Sequence, residues 1–360
     1  MTAPDPKPEL TPVFVRVHTR VKNEKPRNRD SEGKLPDKWA PYALVFDCET
    51  TTDIRQDLTF LWWRFCELKK DGVYSCQQEG VVHADDLDAN SVALIHLFAR
   101  SKRAKVEKGC PQDIQVQSRT EFVDGEFWDA IVAGAVIVCF NAPFDLSRLA
   151  LEYRAAKNKN TGWSMVLWEY DGDPDKFKPK LRIKPKDSRS AFIGLAGGDP
   201  GNRVVYRGRF LDLSVLGWAL RNRHMTLEGF LKSFGLKGKM QHEPTGEVTV
   251  KELRYGRRDV ERTVALLNAM KREYDGFPIT LPPERAMSAA SITKAFLDEM
   301  CVKQPAKKFR LPGRILGKCM QASQYEMFPL FRAKMMQTPR EKFQQLLLHV
   351  NSTSLGNSPW

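Results

Sequence analysis

Two short apolar segments, each followed by acidic side chains, constrain the fold of this chain more than any other feature. Residues 43–46 are apolar and precede Asp47 and Glu49, and a second apolar run, 135–140, precedes Asp145. A short apolar run of this kind is typical of a buried strand. Because side chains alternate along a strand, we expect Asp47 and Glu49 on the same face. The sequence therefore predicts an α/β fold whose strands carry carboxylates.

A helical segment supplies a fourth carboxylate. Thr249 and Glu252 form a capping-box pattern that starts a helix expected to run to about residue 274. Tyr255 and Asp259 are four residues apart in this segment, so they share one helix face. Carboxylates that meet at one point repel one another unless a cation lies among them, and oxygen ligands favour Mg²⁺ or Mn²⁺. The predicted ligands of this divalent-metal site are Asp47, Glu49, Asp145 and Asp259.

These motifs, in this order, resemble those of a known family. Asp-x-Glu, Asn-x-x-Phe-Asp and Tyr-x-x-x-Asp are similar to the three exonuclease motifs of the tyrosine-containing DEDD 3′–5′ exonucleases. That family includes the proofreading domains of family B DNA polymerases of phages and mobile elements. The resemblance covers roughly residues 40–275. It implies an RNase H-like domain, in which helices flank a mixed central sheet and the site lies at one sheet edge.

The resemblance also implies a role for each matching residue. Hydrolysis of a 3′-terminal phosphodiester would use two Mg²⁺ or Mn²⁺ ions. Asp47 would bind both ions, and Glu49 and Asp259 would complete the shell of one. Asp145 would serve the other ion, and Tyr255 would orient the attacking water. Contacts with the substrate are expected from Thr50, Asn141 and Phe144.

Three functions stay open for these motifs. The first is a DNA 3′–5′ exonuclease of the proofreading or end-processing type, which acts on a single-stranded or frayed 3′ end. A ribonuclease of the same superfamily would need the same residues. A polymerase remnant that only binds nucleic acid is the third, although such a module has no need of four intact acids. Polymerase signatures are absent from the chain, so any polymerase is expected as a separate partner.

Charge favours a nucleic-acid partner. The 360-residue chain has 57 Lys and Arg against 44 Asp and Glu, a net charge of +13 at pH 7, and such a basic chain favours polyanions. Cations alternate with apolar or proline residues over 178–186, so an extended strand would present all five on one face. This row suits a nucleic-acid backbone, with Lys180, Arg182 and Lys184 as contacts. A lysine-protected edge strand is the competing interpretation.

Composition also sets expectations about the cellular compartment. No apolar run approaches the ~18 residues needed to cross a bilayer, and the N-terminus has no apolar signal segment. The seven cysteines lie apart and form no CxxC pair, which favours reduced thiols over a zinc site or a disulfide framework. We therefore expect a cytoplasmic protein without a membrane partner.

Shifts in composition predict three segments. Residues 1–37 are expected to form a strand and a basic linker, 38–277 the RNase H-like domain, and 278–360 a helical extension similar to a truncated polymerase linker. The domain contains a β-rich insertion at 156–205. Asp212 is expected to be structural rather than a fifth ligand. Helices are predicted over 88–105, 120–132, 145–155, 226–234 and 288–300.

Overall fold

The computed structural model describes two compact units of the chain. Its described residues are 20–21, 38–101, 110, 113–155, 162–175, 177–187, 190–196, 208–299 and 302–303. One unit is Arg29–Ala295, and the other combines Met1–Asn28 with Phe296–Trp360. In the latter unit, β1 (Arg20–Val21) pairs antiparallel with β14 (Val302–Lys303). The three segments proposed from composition have different boundaries and remain a prediction.

A six-stranded mixed sheet forms the centre of the Arg29–Ala295 unit. Its strands are β2 (Tyr42–Thr50), β3 (Leu58–Leu68), β4 (Tyr74–His83), β5 (Gln115–Ser118), β6 (Val136–Cys139) and β13 (Arg209–Asp212). The strand order is β13-β6-β2-β3-β4-β5. β2, β3 and β4 are antiparallel neighbours, whereas β6 is parallel to both β2 and β13. The predicted mixed central sheet is therefore confirmed.

Helices flank this sheet, also as predicted. They are α1 (Ala89–Arg100), α2 (Arg119–Phe122), α3 (Trp128–Val132), α4 (Ala142–Arg148), α5 (Leu213–Arg221), α6 (Leu227–Ser233) and α7 (Val250–Asp275). A π-helical turn, Val123–Phe127, joins α2 to α3. A 3₁₀ turn at Pro283–Arg285 precedes α8 (Ala289–Glu299).

The helix predicted over 145–155 is wrong in its extent. The chain leaves α4 after Arg148 and forms β7 (Glu152–Ala155). This strand pairs antiparallel with β8 (Trp163–Val166). The apolar spacing of residues 145–151 suits a helix, but pairing with a strand later in the chain satisfies the backbone of 152–155 instead.

A second sheet takes three of its four strands from the predicted β-rich insertion, 156–205, and the fourth, β7, precedes that segment. In it, β11 (Lys180–Pro185) lies between β8 and β12 (Ala191–Ala196), in the order β12-β11-β8-β7. The strands β9 (Glu169–Tyr170) and β10 (Asp173–Pro174) form a separate pair. Leu181 and Ile183 are buried in the same core cluster as Phe46. This shared core packs the second sheet against the central one.

The main core lies on one face of β2. Leu44, Phe46 and Cys48 are buried there together with Leu61 and Trp63 of β3. Burying an apolar side chain of this size stabilises a fold by about 1.5–3 kcal/mol. Because successive side chains of a strand point to opposite faces, the carboxylates at 47 and 49 lie on the other side of β2.

Two cysteines contradict the prediction of reduced thiols. Cys76 of β4 is joined to Cys110, 34 residues later, by a disulfide. Spacing along the chain does not reveal this pair because the fold brings the two residues together. Three further cysteines of the described part, Cys48, Cys66 and Cys139, are free and buried.

Among the helices that the structure describes, none is both long and apolar enough to cross a membrane.

Candidate metal centre

The end of β2 holds the first two carboxylates and meets a third. Within β2, β6 pairs with Ala43–Val45 only, so β2 continues past this parallel neighbour. Beyond that point the backbone N–H of Cys48 donates to Asp145 Oδ1 at 3.2 Å. Asp145 lies in α4, the helix that follows β6 in the chain. This hydrogen bond ties the second predicted motif to the first.

The α7 helix brings the fourth carboxylate to the same place. Oxygen atoms of Asp47, Glu49 and Asp259 lie within 4.8 Å of one another. Gly256 permits this approach, since a Cβ at that position would lie 3.0 Å from the Trp62 ring and 3.3 Å from Glu49 Oε1. A larger residue would require these side chains to shift by a few tenths of an ångström. The three acids, two half-buried and one buried, are called the carboxylate cluster below.

Burial and mutual repulsion raise the pKa values of this cluster. Burial, then Asp259, raises the pKa of Asp47 to about 7, and burial, then Asp47, raises the pKa of Glu49 to about 9. Burial and the charge of Asp47 also hold the pKa of Asp145 well above its usual range. A cation among these oxygens would offset both causes. An all-oxygen donor set that resists ionisation in this way fits a hard divalent metal ion.

A lysine that sequence analysis missed lies beside the cluster. Lys239 Nζ forms an ion pair with Asp259 Oδ2 and lies 5.0 Å from the centroid of the Tyr255 ring. Burial lowers the pKa of Lys239, but Asp259 and Tyr255 together raise it above its usual range. Lys239 therefore stays charged. Its only sequence signal is a lysine between Gly238 and Met240 in the segment before α7, a context that does not distinguish it from a surface lysine.

Tyr255 is held between this lysine and a histidine. The His242 ring centroid lies 5.0 Å from that of Tyr255, and His242 Nε2 lies 2.8 Å from Glu252 Oε2. Burial raises the pKa of Tyr255 to about 12, so its hydroxyl keeps the proton near neutral pH. Tyr255 can therefore donate a hydrogen bond at the cluster. The predicted sharing of one helix face holds, since Lys239 pairs with Asp259 and also lies 5.0 Å from the centroid of the Tyr255 ring.

The predicted capping box at the start of α7 is only half formed. Thr249 accepts from the backbone N–H of Glu252 at 3.2 Å, as predicted. The Glu252 carboxylate does not return to Thr249, because it accepts from the Thr245 N–H at 2.7 Å and pairs with His242. Glu252 thus fastens the preceding loop to the helix instead of capping it.

Gly246 seats that loop against the end of β2. Its φ is +78°, and a Cβ there would lie 2.8 Å from the backbone N of Thr52. Only glycine combines this left-handed backbone with so close an approach. The loop that carries Lys239 and His242 is thereby fixed beside the first motif.

The predicted substrate-contact residues lie in two places. Thr50 ends β2 and is half-buried, and Asn141 is exposed at the start of α4. Phe144 is half-buried, with the Arg148 guanidinium 4.8 Å from its ring centroid. The second place is β11, where Lys180, Arg182 and Lys184 are exposed.

Lys178 departs from the predicted row of five cations. It precedes β11, and its Nζ lies 3.8 Å from the centroid of the Trp128 ring. Burial lowers the pKa of Lys178. The alternation of cations in the sequence includes Lys178, but the strand begins only at Lys180. The sequence pattern therefore predicts a longer row of cations than the strand presents.

Asp212 has a structural position, consistent with its prediction. It is the N-cap of α5, and its Oδ1 accepts from the Ser214 N–H at 2.8 Å and the Val215 N–H at 3.2 Å. Burial raises the pKa of Asp212 to about 6, against these hydrogen bonds. It is not among the residues that form the carboxylate cluster.

Comparisons with known proteins leave the function to be argued from the site. No family model matches the chain, and no curated protein matches it. Among solved structures, it is similar to the Phi29 DNA polymerase complexed with primer-template DNA and incoming nucleotide substrates, with a TM-score of 0.35 and 15% sequence identity. The match covers 78% of this chain and 38% of the polymerase chain. The chain thus spans well under half of that polymerase, and so distant a likeness carries no functional conclusion.

Proposed function

We propose that this chain is a metal-dependent 3′–5′ exonuclease with an RNase H-like domain over residues 38–277. It hydrolyses the 3′-terminal phosphodiester of DNA and releases nucleoside monophosphates. One observation carries the proposal: oxygens of Asp47, Glu49 and Asp259 lie within 4.8 Å of one another. These acids come from motifs more than 200 residues apart in the chain. Asp145 and Tyr255 adjoin the same cluster.

The residues present would hold Mg²⁺ or Mn²⁺ with oxygen ligands alone. Asp47, Glu49 and Asp259 form one ligand group, and Asp145 is available to a second ion. When bound, the ions stabilise charge on the phosphoryl group and lower the pKa of water.

Side chains around the cluster have separate tasks in this proposal. The protonated Tyr255 hydroxyl positions the attacking water, and His242 packs against the tyrosine ring and restricts it. The Lys239 ammonium offers a charge-assisted hydrogen bond to a non-bridging phosphate oxygen. Thr50, Asn141 and Phe144 contact the terminal nucleotide. Positioning of this kind lowers the barrier because the reacting groups are already oriented.

The substrate in this proposal is a single-stranded or frayed 3′ end, since the terminal phosphodiester must reach half-buried acids. A separate polymerase is the partner that a proofreading role requires.

A stepwise degradation assay tests the function. DNA and RNA oligonucleotides of one sequence, labelled at the 5′ end, are incubated with the chain and Mg²⁺, Mn²⁺ or EDTA. We expect DNA to shorten from its 3′ end as a ladder, with either metal and not with EDTA. Folded protein that hydrolyses neither substrate with any metal would overturn the proposal. Faster shortening of RNA than of DNA would favour the ribonuclease alternative.

A further inference from the structure

The four-stranded sheet β12-β11-β8-β7 carries its charged side chains on one face. Arg182 of β11 is opposite Ser164 of β8, and Lys184 is opposite Phe192 of β12. Residues opposite each other in antiparallel strands point the same way, so these four residues share a face. Lys180 joins them by alternation along β11. We call the exposed residues Lys180, Arg182, Lys184 and Phe192, together with the half-buried Ser164, the basic sheet face.

This face has an excess of positive charge. On the four strands the only acid is Glu152, and Arg154 donates to it at 2.7 Å. Lys180, Arg182 and Lys184 form no ion pair within the part of the chain that the structure describes. Three cations at alternate positions of one strand, about 6.6–6.8 Å apart along the backbone, therefore face solvent together.

The position of β11 argues against edge protection as the reason for these cations. Lysines on an edge strand prevent it from pairing with other chains. β11 is an inner strand, paired with β12 on one side and β8 on the other. Its backbone is already paired, so charge there protects no edge.

An exposed aromatic ring adjoins the cations. Phe192 is 51% exposed and lies directly across from Lys184. An aromatic ring beside a row of cations can stack on a base while the cations bind the backbone. An acidic protein surface could pair with the cations but has no bases to stack on the ring, so the ring favours nucleic acid as the partner.

The reverse side of the sheet holds this face rigid. Leu181 and Ile183 are buried in the main core. Trp168 Nε1 donates to the Val123 carbonyl at 3.1 Å, and Arg119 donates to the Leu167 carbonyl at 2.7 Å. A preformed surface loses little conformational freedom when it binds a partner.

We propose that the basic sheet face binds single-stranded nucleic acid, with its phosphates on Lys180, Arg182 and Lys184 and a base stacked on Phe192. None of these residues belongs to the carboxylate cluster. The proposal rests on the charge of the β11 cations, the strand register and the buried reverse side of the sheet. It therefore does not depend on the proposed hydrolysis.

Binding is measured in the Asp47→Ala chain, so that hydrolysis does not interfere. A fluorescent single-stranded DNA is titrated by anisotropy at several salt concentrations. The triple variant K180Q/R182Q/K184Q should bind more weakly, and its slope of log affinity against log salt should fall by about 2, at about 0.7 for each phosphate contact. The effect should be the same for different base sequences, since backbone contacts do not read sequence.

A matched control removes three exposed cations elsewhere. K70Q/R100Q/R272Q lowers the net charge equally, at the β3–β4 turn and the last turns of α1 and α7. It should keep the slope of the Asp47→Ala chain. Equal slopes for the two triple variants would overturn the proposal, and thermal melts check that both are folded.

The stacking part is tested with Phe192→Ala. Binding should weaken by about fivefold or more without a change in salt slope, whereas Leu97→Ala, which truncates an exposed apolar side chain of α1, should have no effect. Polyglutamate is the competing ligand. Displacement of the DNA by polyglutamate as readily as by unlabelled DNA would overturn the proposal and assign the face to an acidic protein.

Discussion

Arg257 of α7 donates its Nε to Glu79 Oε2 of β4 at 3.3 Å, and both side chains are buried. Arg64 of β3 donates to the same oxygen at 3.2 Å. One buried carboxylate therefore pairs with two guanidinium groups inside the protein. Because Arg257 lies between Tyr255 and Asp259 in the helix, this pair fixes the part of α7 that faces the carboxylate cluster.

Glu79→Gln should destabilise the fold strongly. It removes the buried carboxylate that pairs with both arginines, so the free energy of unfolding should fall by about 3–5 kcal/mol. Urea unfolding measures the change. Glu67→Gln is the control, since Glu67 near the end of β3 forms a partly exposed pair with Lys69 just after that strand, and its loss should cost about 1 kcal/mol or less. Equal losses in both variants would contradict the role of Glu79.

Asp47→Ala should abolish hydrolysis while preserving the fold. We expect the rate to fall by about 100-fold or more, because the acid at the centre of the cluster is lost. The melting temperature in EDTA should stay equal or rise, since the variant relieves repulsion with Asp259. Asp53→Ala, in the exposed loop after β2, should retain full activity. Unchanged hydrolysis by pure Asp47→Ala protein would refute the proposed role of the cluster.

Tyr255→Phe should reduce turnover and spare metal binding. The ring and its contact with His242 remain, and only the hydroxyl is lost. Turnover should drop by about 10–1000-fold, while Mn²⁺ should still raise the melting temperature as in the unmodified chain. Tyr153→Phe, at an exposed tyrosine of β7, is the control. Weaker Mn²⁺ binding with normal turnover would instead indicate a structural role.

Without metal, the protein should lose stability as pH rises. Unfolded Asp and Glu release their protons near pH 4, whereas in the fold Asp47 and Glu49 have pKa values of about 7 and about 9. The folded chain therefore holds more protons between these limits, and its stability falls with rising pH. Melting temperatures in EDTA should decrease from about pH 5 to about pH 9, and Mn²⁺ should flatten the trend. A melting temperature that rises with pH over this interval, measured in EDTA, would contradict the raised pKa values of Asp47 and Glu49. The Asp47→Asn variant should show a smaller decrease in melting temperature.

Reduction should destabilise the protein through the bond between Cys76 and Cys110. A disulfide closing a loop of this length contributes about 2–4 kcal/mol, mainly by restricting the unfolded chain. Urea unfolding with and without dithiothreitol measures the difference. The double variant C76S/C110S should lose the same stability and be insensitive to dithiothreitol. Equal stability of the oxidised and reduced unmodified chain would contradict this expectation.

The local sequence pattern predicts the strands and helices whose formation depends least on which other segment they pack against. The apolar runs at 43–46 and 135–140 specify β2 and β6, and the N-cap Thr249 specifies the start of α7. Alternation along β2 and spacing along α7 place each pair of site residues on one face. These predictions succeed because burial of one face imposes a period on the element itself.

Pattern fails where a residue's environment comes from a distant segment. Strands β4 and β5 were not predicted, and residues 152–155 were assigned to a helix, since their strand partners lie elsewhere in the chain. Lys178 shares the alternation of the β11 cations in the sequence, yet its ammonium group packs on the ring of Trp128 instead of extending the row. Lys239 has no distinguishing sequence context, and only the loop seated by Gly246 brings it to Asp259.

The sequence by itself therefore determined which side chains each strand and helix presents, including the acids, the tyrosine and the cations of β11. Only the tertiary structure decided which of these faces meet. It placed β11 inside a sheet, joined Cys76 to Cys110, and set Glu79 between two arginines. The physical reason is that face periodicity is a local property of the chain, whereas contacts between faces depend on strand order and close approaches such as that of Gly256, which no local period encodes.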